Sequence, residues 1–286
     1  AITDATSSNP YVIKIAPGIY TETASVMLKT YVDVEGSGQD ITTINCACGN
    51  ASNTELSATV SAGNIVAEIR HLTINNTGGG NDYSTGVWTE DVADGSFSML
   101  HVTATASGSG TFNYGVYNYN SSPSMDNVTA TATGGTDNVG VYNFSSSPSM
   151  NNVTATATAS GGGTDNRGVY NNSSSSPTMN NVTATGTGGS FSYGVYNDNS
   201  SPSMNNVTAT ASGSTIYNRG VYNISLSSPS IRNSSITGST NSIINSGSSS
   251  TQVADTMLDG SVVAGGGLAC VGVYTTAFAP LGAACG

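Results

Sequence analysis

The chain has 286 residues, a formal net charge of −11, six Lys and Arg together, and only 8% charged residues. So few cations leave nothing to neutralise a phosphate backbone or an anionic bilayer, which excludes nucleic acid and membrane insertion as partners; no apolar run approaches the roughly 18–20 residues of a spanning helix. Serine, threonine, asparagine and glycine number 44, 37, 30 and 35, just over half the chain, a composition that suggests disorder until the 14 tyrosines and the regular spacing of Val, Met and Ile are weighed.

Residues 1–64 contain three strand-and-turn segments, Tyr11-Val-Ile-Lys-Ile-Ala-Pro-Gly-Ile-Tyr-Thr-Glu22, Tyr31-Val-Asp-Val-Glu-Gly-Ser-Gly38 and Ile41-Thr-Thr-Ile44. The sequence opens at Ala1 with no secretory signal, which reads as a processed or partial chain.

Residues 65–245 are repetitive. Gly-Val-Tyr, once Gly-Val-Trp, recurs with its glycine at Gly86, Gly115, Gly140, Gly168, Gly194 and Gly220, in steps of 29, 25, 28, 26 and 26. Ser-Pro-x-Met follows from the second motif on, with Ile in place of Met at the last, placing Met125, Met150, Met179, Met204 and Ile231 two residues after a proline. Asn-Val-Thr-Ala-Thr completes the unit from Asn127, Asn152, Asn181 and Asn206, with His101-Val-Thr-Ala-Thr ahead of them. Short alternating segments between Gly, Ser and Asn clusters predict strands and turns. A unit of about 26 residues is too short for a propeller blade and has no 3.6-residue period. The fold class predicted is all-β: a single-domain right-handed parallel β-helix, each coil stacked on the next.

Alternation of side chains along a strand assigns faces. Val116, Val141, Val169, Val195 and Val221 point inward, as do the methionines and Val128, Val153, Val182 and Val207 with the alanines two residues on. Trp88, Tyr117, Tyr142, Tyr170, Tyr196 and Tyr222 then form an outward aromatic ladder. Outward threonines form two columns, Thr73, Thr103, Thr129, Thr154, Thr183, Thr208 and Thr237 beside Thr105, Thr131, Thr156, Thr185 and Thr210, with Thr133, Thr158 and Thr187 next to them. A recurring asparagine at a tight bend suits a left-handed residue, so Asn127, Asn152, Asn181, Asn206 and Asn233 are predicted to form an internal structural ladder. The rival reading, Asn-Val-Thr as a glycosylation acceptor, requires those residues to lie outside.

Residues 246–286 read as a last coil and a cap. The first segment, Pro17-Gly-x-Tyr-x-Glu22 followed by a strand and Glu35-Gly-Ser-Gly-Gln39, resembles the first coil of the pectin-lyase-like superfamily, especially pectinesterases. The whole chain resembles secreted bacterial β-helix repeat proteins, which share the Gly-Val-Tyr-Asn and Ser-Ser-Pro-x-Met units and end as Cys270-Val-Gly-Val-Tyr274 and Cys285 do. The resemblance implies a β-helix and an extracellular or cell-surface location, and says almost nothing of activity. Four cysteines fit an oxidising compartment; Cys270 and Cys285 are expected to close the cap loop. Cys46 and Cys48 are expected to pair elsewhere or stay free, since a bond along one strand face is strained.

Enzymes of that superfamily work with clustered carboxylates, arginine or calcium on one face. Between His101 and Ser212 the only charged residues are Asp126, Asp137, Asp165, Asp198 and Arg167, and no converging acid–base pair can be placed. The chain is therefore expected not to be an enzyme and to need no cofactor or metal, with His71 and His101 as ladder substitutes and the Gly-Gly-Thr-Asp-Asn loops at 134–138 and 162–166 as solvated turns. The function expected is a structural, surface, adhesive or filament-forming solenoid that self-associates head-to-tail or laterally. Ice binding through the threonine array is the alternative from another class, and polysaccharide binding through the tyrosine ladder the next.

Overall fold

The computed structural model describes residues 2–159 and 162–285. It is one all-β right-handed parallel β-solenoid of about nine turns with about 26 residues per coil, and every pairing between strands is parallel. Among the described residues the single helical element is the short turn Glu55–Ser57.

Each coil has three faces. Gly-Val-Tyr strands, such as Phe112–Tyr119, Asp137–Phe144, Asp165–Asn172 and Phe191–Asp198, stack as a tyrosine face. In Phe97–Ala106 and Ser124–Thr133 a bent strand supplies both other faces. Later coils divide it into a methionine strand and a threonine strand, as in Thr178–Asn180 and Thr183–Thr187. The bend is a left-handed residue in seven successive coils: His71, His101, Asn127, Asn152, Asn181, Asn206 and Asn233 have φ between 49° and 56°. Asparagine tolerates that conformation better than most side chains, which explains the residue choice.

The core is built from the predicted rows. Val116, Val141, Val169, Val195 and Val221 are fully buried, as are Met125, Met150 and Met179, and Ala104, Ala130, Ala155, Ala184 and Ala209. The motif glycine has a steric reason. A Cβ on Gly168 would lie 2.4 Å from the Thr185 nitrogen and 2.7 Å from the Gly194 oxygen, and Gly115, Gly140 and Gly194 meet the same backbone-to-backbone approach. The tyrosine and threonine faces thus stand back to back across a layer one glycine thick.

Three sequence expectations need correction. Asn152, Asn181 and Asn206 are exposed and Asn127 half-buried; with Asn233 they line an outer corner, where Asn206 donates to Asn181 and Asn181 to Asn152. The internal ladder is the asparagine after each Gly-Val-Tyr: Asn118, Asn143, Asn171, Asn197 and Asn223, each fully buried, donate in turn to the next at 2.8–2.9 Å, ending on Asn245. The reason is parity: the residue after an outward tyrosine points inward, whereas a left-handed bend turns its own side chain out. Cys46 and Cys48 are bonded to each other, Cα atoms 5.1 Å apart, because the strand ends at Cys46 and the chain turns between them. Thr237 pairs with Thr210 rather than Thr208, and Ser235 takes the place beside Thr208. Cys270 and Cys285 are joined, Cα atoms 5.6 Å apart.

Candidate functional site

Outward positions of the tyrosine face form parallel columns set by register. Trp88, Tyr117, Tyr142, Tyr170, Tyr196 and Tyr222 pair coil to coil without a shift. A second column, Tyr114, Val139, Arg167, Tyr193 and Arg219, lies nearer the start of the strands, and a first begins Tyr83, Phe112, Asp137, Asp165. The ladder is less open than an isolated row of outward rings. Trp88 and Tyr117 are 4% exposed, packed edge-on at 4.5 Å, while Tyr142, Tyr170, Tyr196 and Tyr222 are half-buried. Ring spacings of 4.7–5.1 Å continue along the column.

Charge is concentrated here. Of the five charged residues between His101 and Ser212, Asp137, Asp165, Arg167 and Asp198 stand on this face, and Asp126 alone lies on the methionine strand. Arg167 Nη2 contacts Asp165 Oδ2 at 2.5 Å, and its guanidinium carbon lies 4.9 Å from the Tyr170 ring centre and 5.2 Å from that of Tyr196. Arg219 sits over Tyr217 and Tyr222 at 4.2 and 4.4 Å. Among the described residues, the buried Nε of each arginine has no hydrogen-bond partner. Burial pushes the Asp137 carboxyl above its ordinary pKa, with Asp165 adding to the rise and Arg167 opposing it. Burial likewise lifts the phenols of Tyr114, Tyr117, Tyr142, Tyr170 and Tyr196, and that of Tyr193 to about 12, so these remain neutral donors at physiological pH.

Two clefts open on the face. One of 200 Å³ is lined by Phe112, Tyr114, Asp137, Tyr142, Arg167 and Tyr170. The other, 340 Å³, is walled by Asn53, Thr54 and Glu55 of the preceding loop and floored by Trp88, Glu90 and Tyr117. A 230 Å³ cleft on the methionine face, between Ile231, Val253 and Val271, has Arg232 as its one charged residue. The remaining charge cluster, Arg70 with Glu35, Glu68 and Asp33, is internally ion-paired; the Arg70 hydrogen bond holds the Glu35 carboxyl below its usual pKa.

Sequence reasoning picked the tyrosines and missed the cluster they surround. Asp165 and Arg167 are two residues apart on one strand and therefore share a face, and Asp137 pairs directly with Asp165. The Gly-Val-Tyr spacing, carried three residues upstream, contains that signal. His71 and His101 stack at 5.2 Å on the outer bend, and no group of three metal-ligating side chains comes together among the described residues.

No family model and no curated protein matches the sequence. Solved structures do match its fold. The A-module of mannuronan C-5 epimerase AlgE6 from Azotobacter vinelandii aligns with a TM-score of 0.53 and 13% identity, over 95% of this chain and 92% of that one. The AlgE4 A-module from the same organism gives 0.51 and 14%, over 95% and 84%. Pectin methylesterase from carrot gives 0.43 and 14%, over 85% and 67%. The first two matches give the chain the right-handed parallel β-helix fold. The expectation that it is not an enzyme is corrected by this finding: the folds it shares over nearly its whole length are those of catalytic modules. Regular repeats and sparse charge do not separate a scaffold from an enzyme on this architecture. Asp137, Asp165 and Arg167 stand together on the tyrosine face. Among the described residues no helix is long and apolar enough to cross a membrane.

Proposed function

We propose that the tyrosine face binds an extended, uncharged polysaccharide whose sugar rings lie across successive coils. The observation that carries the reading is the convergence, on this one face, of the aromatic column and nearly all the charge of the central repeats. Aromatic rings offer apolar faces to the C–H side of sugar rings. Carboxylates and the half-buried phenols offer the hydrogen bonds that hydroxyls require. Coils advance about 4.8 Å each, so a linear chain meets the same ring chemistry at every step. Glu90, Asp137, Asp165 and Asp198 outnumber Arg167 and Arg219 on this face, and the whole chain carries −11; a polyanion is repelled by that balance. The matched A-modules are named for mannuronan; what is proposed here is a binding face and not their substrate.

Trp88 is the single tryptophan and lines the larger cleft, so its emission reports binding directly. Titration with neutral oligosaccharides, β-glucan, xylan and mannan fragments, is expected to shift that emission, with mannuronan and polygalacturonate oligomers as the charged comparison. Removing one stacking ring in Tyr170→Ala forfeits about 1 kcal/mol, a roughly five- to tenfold weaker affinity. Stronger binding of the charged oligomers, or an affinity unchanged in Tyr170→Ala, refutes the reading. Reducing-end and product analysis of the same mixtures reports any turnover.

A further inference from the structure

The threonine face is not absorbed by that function, and its chemistry differs from everything else on the molecule. Thr103, Thr129, Thr154, Thr183 and Thr208 pair rung to rung, as do Thr105, Thr131, Thr156, Thr185 and Thr210, through four consecutive pairings without a register shift. Thr133, Thr158, Thr187 and Ser212 extend the grid by a third column. From the parallel-sheet geometry, rungs lie about 4.8 Å apart and columns about 6.7 Å apart.

Three properties set this grid apart from an ordinary wet sheet. Its hydroxyls are unclaimed: among the described residues none of these ten threonines hydrogen-bonds the protein through its side chain, whereas Thr59 donates to the Asn75 carbonyl and Thr89 to Asn118. The grid is also stiff, because a β-branched side chain has few χ1 states and the alanines beneath are fully buried against the glycine-lined backbone of the opposite sheet. Methyl and hydroxyl groups therefore hold fixed directions. Finally, the outward positions of these strands from Thr129 to Ser212 are all threonine or serine, with no charge to impose its own hydration.

Each such hydroxyl is a weak site alone, so only a ligand that is itself periodic in two dimensions engages the grid as a whole. Stacked rings, which a glycan requires, are missing from it. We propose that the threonine face binds ice: the hydroxyl columns hold a layer of water in place, the methyls exclude competing arrangements, and that layer merges with the lattice of a growing crystal. Water-mediated contacts of this kind are nearly as good enthalpically as direct hydrogen bonds, and the rigid grid has ordered them before the crystal arrives.

The test uses the full chain in ice-shell partitioning and thermal hysteresis, with melting temperature measured in parallel. The wild-type chain is expected to enter growing ice and to depress its growth temperature. Thr156→Tyr, in the middle of the grid, is expected to lower the hysteresis roughly fivefold or more, because it lifts the crystal off several sites at once. Thr183→Lys, at an exposed position where no packing is lost, is expected to do the same without changing the melting temperature, which keeps the test valid if Thr156→Tyr fails to fold. Tyr170→Ala, on the other face, is expected to leave ice activity unchanged. Exclusion of the wild-type chain from ice overturns the proposal, as does full activity in Thr183→Lys. Dimerisation through this face, seen as a doubled mass in sedimentation and abolished by Thr183→Lys, overturns it in favour of a second copy as the occupant.

Discussion

The tyrosine and threonine faces belong to the same coils and touch through a single row of glycines, yet they use their outward positions in opposite ways. On the tyrosine face the outward residues are large and cover one another: Trp88 and Tyr117 are as buried as core residues, and Arg167 is enclosed by three rings. On the threonine face the outward residues are small and alike, and the hydroxyls of the ten central threonines are bonded to nothing among the described residues. Outward in a β-solenoid is therefore a direction and not an exposure. Large outward side chains build a second apolar layer, small ones leave a surface to the solvent.

The comparison makes stability predictions that differ by face. Tyr117→Ala removes a ring from the second layer and is expected to cost about 3–5 kcal/mol, as for a core aromatic. Thr156→Val, on the other side of the same sandwich, is expected to stay within about 0.5 kcal/mol. Equal effects in chemical denaturation break the distinction between the faces. Gly168→Ala probes what joins them. Its methyl would press on three backbone atoms that have no room to yield, so a loss of about 3 kcal/mol, or roughly 10 °C in Tm for a chain of this size, is expected. An unchanged Tm would mean the two sheets are not in backbone contact.

Much of this was legible in the sequence. The coil length, the inward Val, Met and Ala rows and the threonine grid all follow from alternation, because a period of two assigns a face to every residue of a strand once one is fixed. The asparagines show where that logic was dropped. Asn171 was reachable by the same parity that placed Val169, two residues earlier on the same strand. The Asn181 row sits at a left-handed bend, which interrupts parity and turns its side chains out. The charged cluster escaped for a related reason: Asp137 and Asp165 were assigned to a loop, while they begin strands and pair across coils. Tertiary crowding of the tyrosines was not legible, since exposure depends on neighbouring columns and on the 53–55 loop that walls the larger cleft.

The two asparagine rows sharpen the point energetically. Asn171 accepts from Asn143 and donates to Asn197, both at 2.8 Å, in a fully buried site. Asn171→Ala strands a donor and an acceptor and is expected to cost about 2–4 kcal/mol. Asn181 is exposed at φ 53°, and water replaces its two amide contacts with Asn152 and Asn206, so Asn181→Ala loses chiefly the left-handed preference, about 1 kcal/mol, and Asn181→Gly is expected to be close to neutral. Thermal denaturation of the three variants ranks the rows; a larger loss at Asn181 than at Asn171 would reverse which ladder holds the coils.

Asp137 gives the smallest effect and the one most informative about the tyrosine face. Burial raises its folded pKa above the unfolded value, with Asp165 contributing and the Arg167 guanidinium opposing. The native chain therefore holds this proton more tightly than the unfolded chain does. The stabilisation is fully present below the ordinary carboxylate pKa and is lost as pH rises through the raised folded value. Asn lacks the charge at every pH, so Asp137→Asn is expected to raise Tm at neutral pH by about 2 °C or less, and the gain is expected to vanish as the pH falls below about 4. A loss of stability at neutral pH would reverse the sign: Asp137 would then be the counter-ion that occupies Arg167. In that case the guanidinium would be committed to its carboxylates on both sides, and the phenols of Tyr142 and Tyr170 would be the donors the smaller cleft has left for a sugar hydroxyl.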